Sequence, residues 1–203
     1  MASPAHKFGQ LIGIFIEEAF YPKLQNFAKR KGLYLDRIGK RNARSGAKVT
    51  WKDNKGNSHD LDFVLEKDGT EEAKGNPVAF IEIAWRRYKK HSKNKAQEIQ
   101  GAINPLVDTY SIYSPFKGAI ISGVFTKNAL EQLRTQGFSV IHFNYEQMIS
   151  AFKEVNIDIY YEENAPRQKL IDKIRSLEIL SEESKSIVFK KLIEINQYSR
   201  NLN

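Results

Sequence analysis

Apolar residues between Phe8 and Lys31 recur at helical spacing, with Leu11, Phe15 and Ala19 along one line and Phe20, Leu24 and Phe27 along another. This periodicity predicts one helix or two abutting helices. Pro22 either kinks the stretch or opens a second helix, and Gly32 is a natural stop because glycine adopts a left-handed conformation at little cost. The period then changes to two. Leu33 and Leu35, then Val49 and Trp51, then Leu61, Phe63 and Leu65 predict strands, with Asp53-Asn54-Lys55-Gly56-Asn57 as a hairpin turn between the second and third. In the third, Asp60, Asp62 and Val64 are expected on one face and Leu61 and Phe63 on the other. Val78 to Trp85 is apolar at both parities except for Glu82, the pattern of a central strand covered on both sides.

Further along, Ser92 or Asn94 is placed to cap a helix running to about Tyr110. Gly118 to Phe125 reads as a buried strand, Lys127 to Gln136 as a helix capped by Thr126, Ser139 to Phe143 as a strand and Tyr145 to Glu154 as a helix. The order implies an α/β fold: a mixed central sheet, antiparallel first and parallel later, flanked by helices. After Tyr161 the composition changes. Glu162 to Pro166 reads as a linker, and Leu170, Ile174 and Leu177, then Val188, Leu192 and Ile195, mark two amphipathic helices. Residues 1–160 are thus expected to form the core and residues 161–203 a C-terminal helical extension, docked on the core or on a second subunit.

Composition narrows the chemistry. The 203 residues contain no cysteine and four histidines, which excludes disulfide scaffolds, thiolate zinc sites and cysteine nucleophiles and disfavours a histidine-rich metal centre. No apolar run approaches the roughly 18–20 residues needed to cross a bilayer, and the first residues lack the pattern of a secretion signal, so a soluble cytoplasmic protein with no membrane partner is expected. The net charge of +8 is unevenly distributed. Lys29, Arg30, Lys31, Arg37, Lys40, Arg41 and Arg44 crowd one segment, and Arg86, Arg87, Lys89, Lys90, Lys93 and Lys95 another. Clustering of this kind suggests a polyanionic partner.

Three carboxylates stand where apolar residues would be cheaper. Glu82 lies on the central strand, where an ionised group costs several kcal/mol unless a metal, a base or a hydrogen-bond network compensates it. Asp62 lies on the preceding strand, and Glu17 is one of a glutamate pair in the otherwise apolar first helix. The plainer alternatives are an ion pair for Glu82 and a solvated strand end for the acids near Asp62. An Asp and a Glu on neighbouring strands also suit Mg²⁺, with Mn²⁺ as an alternative: a hard cation takes oxygen ligands, keeps several waters and lowers the pKa of one. The basic clusters on either side of these acids would hold a phosphate chain against a centre that otherwise repels it.

Asp62-Phe63-Val64-Leu65 followed by Phe80-Ile81-Glu82-Ile83-Ala84 resembles the PD-(D/E)XK nuclease superfamily, which includes many type II restriction endonucleases, junction resolvases and repair nucleases. Gly13-Ile14-Phe15-Ile16-Glu17 is similar to the entry helix of such proteins, whose glutamate can join the metal site. The likeness spans about residues 8–144 and implies a restriction endonuclease-like core with Asp62, Glu82 and Glu17 as metal ligands. It departs from the pattern at Ala84, where the family usually places a lysine that positions the attacking water. Lys93 and Lys95, at the start of the next helix, are candidates for that charge, with Lys95 the better placed and Lys93 assigned to phosphate binding. The resemblance implies a Mg²⁺-dependent endonuclease cutting double-stranded DNA, acting as a homodimer, with Arg41, Arg44, Arg86, Arg87, Lys89, Lys90 and Lys93 contacting the backbone. The alternatives are a DNA-binding accessory protein with a degenerate site, which Ala84 raises, and a nuclease selective for junctions or single strands.

Overall fold

Ser3 opens the first helix, its hydroxyl accepting from the His6 N–H at 3.2 Å, with Pro4 in the first turn where its missing N–H costs nothing. The computed structural model describes residues 3–163 and 165–201; Met1, Ala2, Asn164 inside the expected linker and the last two residues of the expected extension lie outside the described residues. Helix α1 (Pro4–Lys31) runs unbroken through Pro22 to Gly32, whose φ of 63° provides the left-handed stop. One helix therefore forms where the sequence allowed two. Pro22 is exposed, whereas the core-facing Phe15, Ile16 and Phe20 hold the helix on both sides of Glu17, so the missing hydrogen bond faces water.

Strands β1 (Leu33–Arg37), β4 (Phe63–Lys67), β5 (Asn76–Arg86), β6 (Phe116–Gly123) and β7 (Ser139–Asn144) form one sheet in the order β1-β4-β5-β6-β7. The β1–β4 and β4–β5 pairs are antiparallel and β5–β6 and β6–β7 parallel, so the sheet is mixed and β5 is its middle strand. Strands β2 (Val49–Lys52) and β3 (Ser58–Leu61) pair only with each other. The fold is α/β, with helices on both faces of the sheet. On one side lie α1, α4 (Tyr145–Lys153), α5 (Arg167–Glu178) and α6 (Glu182–Asn201), burying Phe63, Ile81, Ile120 and Phe143. On the other lie α2 (Ser92–Thr109), α3 (Lys127–Thr135) and the β2–β3 hairpin, burying Val64, Phe80, Ala84 and Ile121. Each fully buried side chain of this size contributes about 1.5–3 kcal/mol of transfer free energy.

One expectation changes, and one alternative is decided. Leu61 to Leu65 is not one strand: Asp62 occupies a bend between β3 and β4. The bend breaks the alternation, so Leu61 packs with Val64 on the α2 side while Phe63 faces α1. The C-terminal helices, for their part, join the core of their own chain. Leu170, Ile174, Leu177, Val188, Phe189 and Leu192 pack with Phe8, Ile12, Phe15 and Phe20 of α1 in one cluster. Among the described residues no helix is long and apolar enough to cross a membrane.

Candidate active site

The β4–β5 ladder ends at the pair Phe63 and Ile81, and two carboxylates take over from the backbone there. Asp62 Oδ2 accepts from the Ile83 N–H at 2.6 Å. The Glu82 carboxylate in turn accepts from the Asp62 N–H. This exchange caps the fork between the strands, and it is a structural reason for both residues. It is an expensive one. Glu82 is 8% exposed on the strand face shared with Phe80 and Ala84, beneath α2, and each acid sits in the field of the other.

Burial, reinforced by the Asp62 charge, pushes the Glu82 carboxyl up to about 8. Burial also raises Asp62, with the Ile83 N–H and the Lys95 ammonium pulling it back. Glu17 reaches the same region from α1: burial and then the Asp62 charge raise its pKa, while Arg37 lowers it. Lys95, on the first turns of α2, is the cation that stabilises the ionised form of both Asp62 and Glu82. Asp62, at the β3–β4 bend, thus lies within electrostatic range of Glu82 from β5, Lys95 from α2 and Glu17 from α1, and Lys95 also reaches Glu82. Among the described residues no three His, Cys, Asp or Glu side chains are close enough together to form a metal-binding group. Mg²⁺ is commonly held by one or two carboxylates with water completing its shell, and a buried, mutually repelling pair with one nearby lysine is short of positive charge. The donor set fits a hard divalent cation.

Ala84, where a lysine was expected, is 2% exposed and packs with Ala96 and Ile99 of α2. Lys95, from the helix that packs over Ala84, lowers the Glu82 pKa by its charge. Glu98, which the sequence reading passed over, lies 3.3 Å from Lys95 Nζ and 3.5 Å from Arg86 Nη2 and holds both cations at the mouth of the site. The only signal for it in the sequence is the three-residue spacing from Lys95, common to any helical ion pair.

Three residues expected to contact DNA face inward. Arg41 is 2% exposed, with Nη1 on Glu66 at 2.6 Å and on Asp36 at 2.8 Å, and with Nε and Nη2 on the carbonyls of Thr70 and Ala73. Arg44 forks onto Asp36 at 3.1 Å and donates to the carbonyls of Arg37, Gly39, Gly46 and Lys48. These two arginines fix the loop between β1 and β2, and no donor is left for a phosphate. Arg87 stacks on Tyr145, 4.1 Å from the ring centre, and donates to the Tyr161 carbonyl, tying the end of β5 to the C-terminal segment. Arg86, Lys89 and Lys93 remain accessible to differing degrees, and Lys90 is exposed and paired with Glu163 at 2.7 Å.

The pKa displacements predict how a cation should bind. A metal competes with protons for Asp62 and Glu82, so Mn²⁺ affinity should rise as pH increases from the ordinary carboxylate range toward about 8 and level off above it. Calorimetric titration between pH 5.5 and 9 checks this. Affinity flat across that window would exclude Glu82 as a ligand.

No protein-family model matches the chain, and no curated protein matches it. Among solved structures, a crystal structure of a protein of unknown function, AF1548, aligns over 90% of this chain and 98% of that chain, with 11% identity and a TM-score of 0.38. A likeness at that level carries no argument about function.

Proposed function

We propose that the protein is a metal-dependent DNA endonuclease of the restriction type, related to the PD-(D/E)XK nucleases. The observation that carries the reading is the meeting of two desolvated, mutually repelling carboxylates with a lysine delivered from the following helix. That arrangement is costly for stability and suited to phosphodiester hydrolysis. Asp62 and Glu82 would hold Mg²⁺, which supplies a lowered water pKa and positive charge for the leaving oxygen. Lys95, 19% exposed and steadied by Glu98, orients the attacking water and offsets charge developing on the phosphate. Glu17, whose pKa burial and the Asp62 charge raise, would add a third carboxylate beside Asp62. Cutting both strands calls for two copies of the site, which a homodimer provides.

Incubation with plasmid DNA and Mg²⁺, Mn²⁺ or EDTA tests the reading. Metal-dependent cleavage is expected, with discrete fragments for the restriction type. Lys95→Gln should slow it by about 10²–10⁴, the usual contribution of a group assisting proton transfer or charge development, while DNA binding persists. Ala84 favours a second reading, a protein that binds DNA without cutting it. Binding with no cleavage under any metal would select that reading.

A further inference from the structure

The β2–β3 hairpin lies over the sheet face that carries Phe80, with the Trp51 ring 5.9 Å from Phe80 and 5.3 Å from Tyr110. A cleft of about 900 Å³ opens between the hairpin, the loop before it, the residues leading into β5 and the end of α2. Lys48, Lys52, Lys74 and Arg44 line it together with Trp51 and Tyr110, and no carboxylate does. Arg44 is fully engaged in holding the loop, so the charge available to a ligand comes from the lysines. Lys52 is exposed. Lys74 Nζ lies 4.7 Å above the Trp51 ring and donates to the Thr50 carbonyl at 2.6 Å. Burial lowers its pKa, with Asp36 and Glu66 opposing the shift and Arg41 and Arg44 adding to it. Trp51 is 4% exposed, and its indole N–H is a buried donor without an acceptor among the described residues.

Beside the cleft, Thr50 Oγ1 and Lys48 Nζ both bind Asp60, at 2.6 and 2.7 Å, and the Asp60 charge reaches Glu82. Lys52 pairs with Ser58, four residues before Asp62, a span of at most about 14 Å of chain. That is the rise of about four nucleotides along one DNA strand at roughly 3.4 Å each. A strand whose phosphodiester lay at Asp62 and Glu82 would carry phosphates about four nucleotides away toward the lysine cleft.

We infer that this cleft is the seat of the DNA backbone flanking the cleavage position, with Lys52 and Lys74 neutralising phosphates and the buried Trp51 ring forming its floor beneath Lys74. The inference rests on the nuclease reading for its choice of ligand, but not on catalysis. It replaces the arginines of the first basic cluster with lysines from the next segment of the chain.

The test measures binding of the full-length protein to a labelled DNA duplex by fluorescence anisotropy in EDTA, over a range of salt concentrations. Lys52→Gln/Lys74→Gln keeps both stems and removes two charges. Affinity should fall at least tenfold at low salt, and the slope of log affinity against log salt should shrink by about 1.8, or 0.9 per lost phosphate contact. Lys52→Gln alone alters only an exposed side chain and should give about half that change in slope, which guards against misfolding of the double variant. In a Trp85→Phe background Trp51 is the only indole, and its emission should shift on adding the duplex. Unchanged slopes in both variants with normal wild-type binding would overturn the cleft assignment and leave the nuclease reading standing. Loss of cleavage alone, with the slope change intact, would overturn the nuclease reading and leave the cleft. A Trp51 response to inorganic pyrophosphate but not to DNA would overturn the strand assignment in favour of a free phosphate ligand.

Discussion

Replacing Glu82 with glutamine is expected to abolish cleavage while raising the melting temperature. Glutamine keeps the shape and an acceptor for the Asp62 N–H but carries no charge into a site that penalises one. The sign follows from the direction of the shift. The folded pKa lies above the ordinary carboxylate value, so the carboxyl does not destabilise the fold while it is protonated in both states. It becomes increasingly destabilising as pH rises through the unfolded pKa, until the folded group also ionises near 8. The advantage of Glu82→Gln should therefore be small at pH 4, grow to about 1–3 kcal/mol near neutral pH and stay constant above pH 8. For a chain of this size that is roughly 2–12 °C in Tm. Thermal melts in EDTA at several pH values, beside plasmid cleavage in Mg²⁺, give both halves of the result. A variant both inactive and less stable at pH 7 would return Glu82 to a purely structural role. Asp62→Asn should behave similarly with a smaller gain, because Asp62 Oδ2 also satisfies the Ile83 N–H.

Arg41→Met should be among the most destabilising single changes in the protein. It leaves the buried Glu66 carboxylate, 0% exposed, with the Gly75 N–H at 2.6 Å but without its guanidinium, and it weakens the hold on Asp36. Breaking a buried pair from one side costs about 3–5 kcal/mol. Arg41→Lys should recover little of this, since one ammonium cannot serve two carboxylates and two carbonyls in the plane that guanidinium occupies. The companion change Glu66→Gln in the Arg41→Met background should restore part of the loss by removing the orphaned charge. Urea unfolding of the three variants measures these differences. An Arg41→Met protein with wild-type stability but weakened DNA affinity would place Arg41 on the binding surface.

These two expectations mark where the chain could and could not be read from its residues. Strand β5 was legible because burial on both faces demands apolar residues at both parities, which made Glu82 conspicuous. The helices were legible from their 3.6-residue period and from capping residues such as Thr126, whose hydroxyl does accept from the Ala129 N–H at 3.2 Å. The break at Asp62 was not legible. Alternation of Leu61, Phe63 and Leu65 is the same whether or not the strand bends, and only the β4–β5 register shows where pairing stops. Arg41 and Arg44 were misread because a run of basic residues normally lies in water. Their partners Asp36 and Glu66 are supplied by β1 and β4, and Glu66 turns inward at a register irregularity that no local pattern announces. Lys95 could be placed near the acids from order alone, since a helix that starts soon after the central strand must begin at that strand's end.

The shared cluster of α1 with α5 and α6 has a consequence for how the protein comes into being. Helix α1 is made first, yet Phe8, Ile12, Phe15 and Phe20 pack against residues between Leu170 and Leu192. During synthesis the sheet and α4 can cover part of that face, but the part that meets α5 and α6 stays open until those helices have left the ribosome. Glu17 sits on the same helix, between Ile16 and Phe20. The seating of α1, and with it of Glu17, is therefore finished by a segment about 150 residues further along the chain.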